Sequence, residues 1–143
     1  MTIRIYMDTC CLNRPFDNQS HPVIYYEAQA VLRMQDGIIE GRYDLVWSYV
    51  LDREIFRTSD AERKYEILLW GDIACYVIRR KTTAIEAFSS KLQSMGVKLF
   101  DSLHIACAVD LSCDFFITTD HKLLATPIHT INVVDPITFL NLS

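Results

Sequence analysis

Glycine and proline are scarce in this 143-residue chain, with four of each, and it contains no Gly/Ser linker, internal repeat or low-complexity tract. Nothing therefore divides it, and a single domain over 1–143 is expected. Long apolar runs are absent too: Asp72 interrupts Leu68 to Ile78 and Asp110 follows Ile105 to Val109, so no stretch approaches the roughly 18 residues of a membrane span. The first residues carry neither a basic leader nor a small-residue cleavage site, which argues against a signal peptide. These absences predict a soluble, cytoplasmic protein with no membrane contact. The five cysteines are odd in number and form no CxxC pair, which fits reduced thiols used as small core residues better than a disulfide framework or a zinc site. Positive charge is not in excess either, with 14 Lys and Arg against 18 Asp and Glu for a net charge of −4. A general nucleic-acid coat protein is usually basic. The balance leaves room for an enzyme on nucleic acid, because clustered acids lower net charge while a bound metal reverses the local field.

What is present is ample apolar material, half of all residues, arranged in alternating strand and helix patterns. Ile3 to Met7 reads as a buried strand and Asn13 to His21 as a polar loop. Val23, Tyr26, Ala30, Met34 and Ile38 recur at helical spacing, predicting a helix near 22 to 40 with Ser20 as cap and Gly41 as stop. Asp44 to Ser48 is a second strand, after which Ser48 caps a short helix turning Leu51 and Ile55 inward and leaving Glu54 on its flank. Ser59-x-x-Glu62 and Thr83-x-x-Glu86 match the capping box, the first helix burying Tyr65, Leu68, Leu69 and Ile73, the second Ile85, Phe88, Leu92 and Met95 before Gly96 ends it. The stretch from Ser48 to Gly96 is thus expected to be an all-helical insertion. Ser102 to Leu111 is a further helix, Phe115 to Thr118 a central strand, Ile131 to Val134 the last strand, and Asp135-Pro136 opens a closing helix. Alternating strands and helices give an α/β fold with a parallel sheet covered on both faces.

Four carboxylates stand where apolar segments end: Asp8 after Ile3 to Met7, Glu54 after the second strand, Asp101 after Val97 to Phe100, and Asp120 after Phe115 to Thr119. An open parallel sheet gathers the carboxyl ends of its strands along one edge, where ligands bind. At an effective dielectric of about 20, two negative charges roughly 5 Å apart cost about 3 kcal/mol, so four acids there need protons or a cation. Hard oxygen donors suit Mg²⁺ or Mn²⁺. Each acid taken alone also has a structural reading: Asp101 and Asp120 as helix caps, Asp8 as a turn residue, Glu54 as a solvated helix charge, with Asp52 as alternative to Glu54.

The segments Ile5-Tyr6-Met7-Asp8-Thr9, Ser48-x5-Glu54, Asp101-Ser102-Leu103-His104-Ile105-Ala106-Cys107-Ala108 and Asp114-Phe115-Phe116-Ile117-Thr118-Thr119-Asp120 occur in this order, with two wide gaps and one narrow gap between the acids. In this the chain resembles PIN-domain proteins, metal-dependent nucleases that include the VapC-type toxins of bacterial toxin–antitoxin pairs; Cys10 to Asp17 is similar to one PIN subgroup. The resemblance implies a three-layer sandwich with a central, mainly parallel sheet. It implies that Asp8, Glu54, Asp101 and Asp120 bind Mg²⁺ or Mn²⁺, that Thr118 assists beside the last acid, and that RNA phosphodiester bonds are hydrolysed. It further implies a homodimer and a cognate antitoxin protein laid over the acidic pocket with an arginine offered to it.

Thr9, Asn13 and Thr118 are candidates to contact substrate phosphate or hold the carboxylates, and equally to satisfy local backbone or order a loop. Arg14 has the same two readings. His104, among Leu103, Ile105 and Ala106, reads as a packed, hydrogen-bonded histidine rather than a base. Tyr25, Tyr26, Tyr65 and Trp70 could stack on unpaired bases, though helical spacing favours core packing. Basic residues are available away from the acids at Arg53, Arg57, Arg63, Lys64, Arg79, Arg80 and Lys81. A haloacid-dehalogenase phosphatase needs a second Asp where Cys10 stands, and a receiver domain needs paired acids after the first strand, which are missing. A non-catalytic PIN scaffold and a DNA-directed nuclease remain as alternative functions.

Overall fold

The structure, a computed structural model, describes residues 2–143. Its core is a five-stranded, all-parallel sheet of β1 (Ile3–Met7), β2 (Tyr43–Ser48), β3 (Tyr76–Ile78), β4 (Phe115–Ile117) and β5 (Asn132–Val134), in the order β3-β2-β1-β4-β5. The flanking helices are α1 (Thr9–Asn13), α2 (Pro22–Ile39), α3 (Tyr49–Phe56), α4 (Ala61–Ile73), α5 (Thr83–Ser94), α6 (Leu99–Asp110), α7 (His121–Leu124) and α8 (Pro136–Leu142). None of the helices among the described residues is long and apolar enough to cross a membrane.

β1 lies in the middle because its side chains are apolar toward both faces: Ile5, Tyr6 and Met7 are all buried. The Tyr6 ring stacks on Phe116 of β4 at 5.4 Å between centroids, and Phe139 of α8 packs edge-on against both Tyr43 and Phe115. α5 pairs with α6 and α2 with α8. The chain runs outward from β1 through β2 to β3, then returns to the other side of β1 for β4 and β5. That reversal puts a topological switch point between the carboxyl ends of β1 and β4, where a crevice opens in such sheets.

Several local expectations are corrected. The 48–96 stretch is not all helical: Tyr76–Ile78 forms β3, too short to announce itself and paired at the sheet edge with Val46 to Ser48. Capping shifts by one residue in three helices. His21 precedes α2 because Pro22 sits in its first turn, Asp60 rather than Ser59 accepts from Arg63 N (3.1 Å), and Thr82 rather than Thr83 accepts from Ile85 N (3.2 Å). For α4 and α5 the neighbouring residue is an equally good starter, while His21 makes no side-chain cap and proline alone marks the start of α2. α4 buries Ile67 instead of Tyr65, Leu69 and Ile73, which face outward, as do Tyr25, Tyr26 and Met95. Of the cysteines, all free, Cys11 and Cys107 are buried, Cys10 and Cys113 half-buried, and Cys75 exposed just before the edge strand β3. Ser48 capping α3 through Leu51 N, Asp135 capping α8 through Thr138 N, and positive φ at Gly41 and Gly96 agree with the sequence reading.

Gly37 in α2 is a packing requirement: a Cβ there would lie 2.4 Å from the Tyr43 ring, which Phe139 holds in place. Gly37→Ala is expected to lower unfolding free energy by about 1–2 kcal/mol, overpacking outweighing the gain of roughly 0.5–1 kcal/mol from alanine in a helix. Urea denaturation monitored by circular dichroism measures the difference.

Candidate functional site

Asp8 is the first residue beyond β1, and its carboxylate is held from two sides. Oδ1 accepts from Thr9 N at 2.8 Å, which starts α1, while Oδ2 accepts from Thr118 Oγ1 at 2.9 Å across the switch point. The backbone repeats the link, with Asp8 N donating to Ile117 O at 2.9 Å. Thr118 Oγ1 also accepts from Asp120 N at 3.1 Å, so one buried hydroxyl connects Asp8 to the start of α7. Asp120 is exposed and caps that helix, Oδ1 accepting from Lys122 N and Leu123 N at 2.9 and 3.1 Å. The turn and cap roles of Asp8 and Asp120 are therefore real, and both side chains still face the carboxyl edge.

Glu54 lies in the last turn of α3, where a negative charge opposes the helix dipole. Other elements hold it there. Thr9 Oγ1 donates to Glu54 Oε1 at 2.6 Å, and His104 Nε2 of α6 makes a short hydrogen bond to the same oxygen. The opposite ring nitrogen of His104 meets Tyr6 OH at 2.6 Å, and Tyr6 OH meets Ser48 Oγ at 2.6 Å. Ser48 Oγ already accepts from Leu51 N. Tyr6 OH thus joins Ser48 to one side of the His104 ring, and the other side of the ring joins that line to Glu54. Asp52, the alternative acid, points elsewhere and accepts from Trp47 Nε1 at 2.8 Å.

Among the described residues, Asp8, Glu54 and His104 are the three side chains whose donor atoms all fall within 4.8 Å of one another. Asp101 is neither a strand-end residue nor a helix cap. Lys98 precedes α6, and Asp101 sits in its first turn, partly buried, where it shares a small cavity of about 30 Å³ with Asp120, Lys98 and Lys122. Larger cavities lie elsewhere, one of about 590 Å³ beside Ile3 and Tyr43 at the amino ends of the strands, away from this cluster.

Electrostatics register the crowding. Burial pushes the Asp101 carboxyl up to about 6, and the charges of Asp8, Asp120 and Glu54 push the same way, with only His104 opposing. Burial likewise raises Asp8, against the pull of His104 and the Thr118 hydrogen bond. Burial acts on Glu54 too, yet the hydrogen bonds from His104 and Thr9 and the charge of Arg57 leave it below its ordinary value. Four acids with hard oxygen donors, two of them destabilised as anions, are a donor set that fits a divalent cation such as Mg²⁺ or Mn²⁺.

Solved structures carry the same architecture. The chain is similar to a chain of the VapBC2 complex of Rickettsia felis, bound to a DNA fragment from its promoter, with TM-score 0.57 and 11% identity over 92% of this chain and 97% of that one. It is similar also to a chain of VapBC-1 from nontypeable Haemophilus influenzae, with TM-score 0.56 and 18% identity over 94% and 99%. The fold is PIN/VapC-like. No family model and no curated relative matches the sequence.

The remaining candidates divide by their partners. Thr9 and Thr118 hold carboxylates directly. Asn13 closes α1 by donating to Thr9 O at 3.0 Å and accepts from Arg63 at 3.4 Å. Arg14 is committed to Glu27 and Asp17 at 2.9 and 3.0 Å, and Arg63 to Asp17 and Phe16 O, so both guanidiniums hold the 3₁₀ turn Arg14–Phe16, which occupies the start of the stretch expected as loop. His104 was legible only as a packed histidine. Its link to Glu54 comes from two helices far apart in sequence, and only its helical spacing of three residues from Asp101, placing both on one side of α6, hinted at it.

Asp101 has its raised pKa only when folded, so the fold gains a proton as pH falls through about 6 and carries the penalty of ionised Asp101 above it. Asp101→Asn is expected to stabilise the metal-free protein by about 1 kcal/mol near pH 8, discounted for partial solvation, with the gain vanishing near pH 4. Thermal melts of both proteins in EDTA across that range measure it.

Proposed function

We propose that this chain is a metal-dependent endoribonuclease, a single PIN-like domain over 1–143 that serves as the toxin of a type II toxin–antitoxin pair in the cytoplasm. The observation that carries the reading is the gathering of Asp8, Glu54, Asp101 and Asp120 at the carboxyl edge of a PIN/VapC-like sheet, where burial, and then the charges of the other three, destabilise ionised Asp101. These four acids hold Mg²⁺ or Mn²⁺ in this proposal. The bound ion supplies charge neutralisation and a lowered pKa for water, the general chemistry of phosphodiester hydrolysis by such sites.

The chain's own groups do the rest. Thr9 N fixes Asp8 Oδ1, and the Thr118 hydroxyl and the Cys10 thiol fix Asp8 Oδ2. Thr9 and His104 fix one oxygen of Glu54 and keep it ionised, leaving the other for the crevice. Asp120 uses one oxygen as a cap and keeps one. Thr118 and Asn13 act from behind the site, Thr118 fully buried against Asp8 and Asn13 bonded to Thr9 O and Arg63. No protein nucleophile is required, and His104, with both nitrogens engaged, serves as a positioning residue.

Partners follow from surface chemistry. Tyr65, Leu69 and Ile73 recur at four-residue spacing on the exposed face of α4, which supports a homodimer seated on that stripe. The solved complexes of the same fold support a cognate antitoxin, whose arginine would neutralise the acidic pocket.

Purified protein is expected to cut labelled RNA in Mg²⁺ or Mn²⁺, with Asp8→Asn losing at least about a hundredfold in rate and EDTA abolishing cutting. A panel of RNAs and single-stranded DNAs tests this. Full activity in Asp8→Asn would sink the assignment, and cutting of DNA alone would change the substrate.

A further inference from the structure

We propose that the groove between α3 and the segment following β3 is a binding track for a single nucleic-acid strand, which holds backbone phosphates on Arg53, Arg79, Arg80 and Lys81 and stacks a base on Phe56. The inference rests on the nuclease reading above and names the part of the molecule that grips the substrate.

The groove encloses about 440 Å³ and is lined by these five residues with Tyr49, Asp52 and Leu103. Its wall on α3 is one helical face: Tyr49, Asp52, Arg53 and Phe56 recur at i, i+3, i+4 and i+7. The opposite wall is three consecutive exposed cations, Arg79, Arg80 and Lys81. Four of the chain's 14 Lys and Arg thus meet in one groove of a molecule whose net charge is −4. Little inside offsets them. One acid, Asp52, stands in the lining against four cations, and Lys81 reaches Glu86 only at 4.0 Å on the open surface.

Of the apolar lining, Tyr49 and Leu103 pack against the core, and Phe56 alone is left open. Phe56 is 63% exposed, a large cost for an aromatic ring unless something covers it. Tyr49, whose hydroxyl is buried without a hydrogen-bond partner, lies beneath Arg53, with the guanidinium carbon 5.4 Å from its ring centroid. Cations interleaved with an open aromatic face describe the chemistry that single strands require, phosphate contacts plus base stacking, whereas a duplex hides the faces of its bases. The position suits the same reading. α3 carries the groove on one face and Glu54 on the next, α6 sets Leu103 in the groove and His104 on Glu54, and Arg57, over the Phe100 ring at 4.9 Å, acts electrostatically on Glu54.

Fluorescence anisotropy of a fluorescein-labelled oligouridine in EDTA, titrated with salt, tests the groove without cleavage. Arg79→Ser/Arg80→Ser/Lys81→Ser is expected to weaken binding at least about tenfold and to make the log–log salt slope shallower by about 2, near 0.7 for each lost phosphate contact. Phe56→Ala is expected to weaken binding about fivefold or more with the slope unchanged. A labelled oligoglutamate of equal charge should bind more weakly and ignore Phe56→Ala. Wild-type affinity and slope in the triple variant, or no oligouridine binding by wild-type protein, would overturn the proposal. So would an oligoglutamate that loses as much from Phe56→Ala as the RNA does, because the surface would then recognise acidic protein. Binding is read without metal, so the two readings fail separately: groove-dependent binding without cutting in Mg²⁺ removes only the nuclease, and cutting with groove-independent binding removes only the track.

Discussion

The Thr118 hydroxyl donates to Asp8 across the gap between β1 and β4, and the geometry of the carboxyl edge follows from that contact. It couples the two strands whose separation in sequence is greatest relative to their closeness in space. It also fixes the first carboxylate and, through Asp120 N, the loop that carries the last. The contact exists because the sheet changes direction at β1. A chain that continued outward past β3 would have carried Thr118 and Asp120 to an edge far from Asp8.

A second set of bonds enters from the buried side. Ser48, Tyr6 and His104 form a line of short hydrogen bonds that ends on Glu54, and every member except Glu54 is fully buried. In that low-dielectric setting each bond is electrostatically stronger than its counterpart in water, and leaving one unmade costs more. Glu54, opposed by its own helix dipole, is thereby kept ionised and in one rotamer. The sheet interior and the acidic edge are in this sense one construction, since a change at Tyr6 is felt two residues' reach away at Glu54.

Charge is segregated around α3 and α6 rather than balanced locally. The acids converge on the strand ends and the cations gather on the adjoining groove, while Arg14 and Arg63 hold the Arg14–Phe16 turn. The modest overall acidity of the sequence averages these regions away. Composition therefore excluded a general coat protein, and it carried no information about where a polyanion could be received.

Local pattern was enough for the strands β1, β2, β4 and β5, for most helices, and for the caps at Ser48 and Asp135, because alternation, apolar runs and capping chemistry are properties of neighbouring residues. Asp8 and Asp120 each follow a strand, as the ends of the apolar runs Ile3 to Met7 and Phe115 to Thr119 indicated. Local pattern failed for β3, three residues long, and for the outward face of α4, where apolar residues at helical spacing resemble core until the tertiary structure turns another face inward. It had Asp101 opening a helix over Ser102 to Leu111, whereas that helix starts at Leu99 and the residue rides in its first turn. It weighed His104 as packing alone, because nothing within a few residues reveals that Glu54 stands opposite. The sequence by itself determined which residues are apolar, which are acidic and where segments begin. Only the tertiary structure decided which acids share a hydrogen bond and which repel, because that depends on strand order and helix rotation, and both are set by long-range packing that no local window contains.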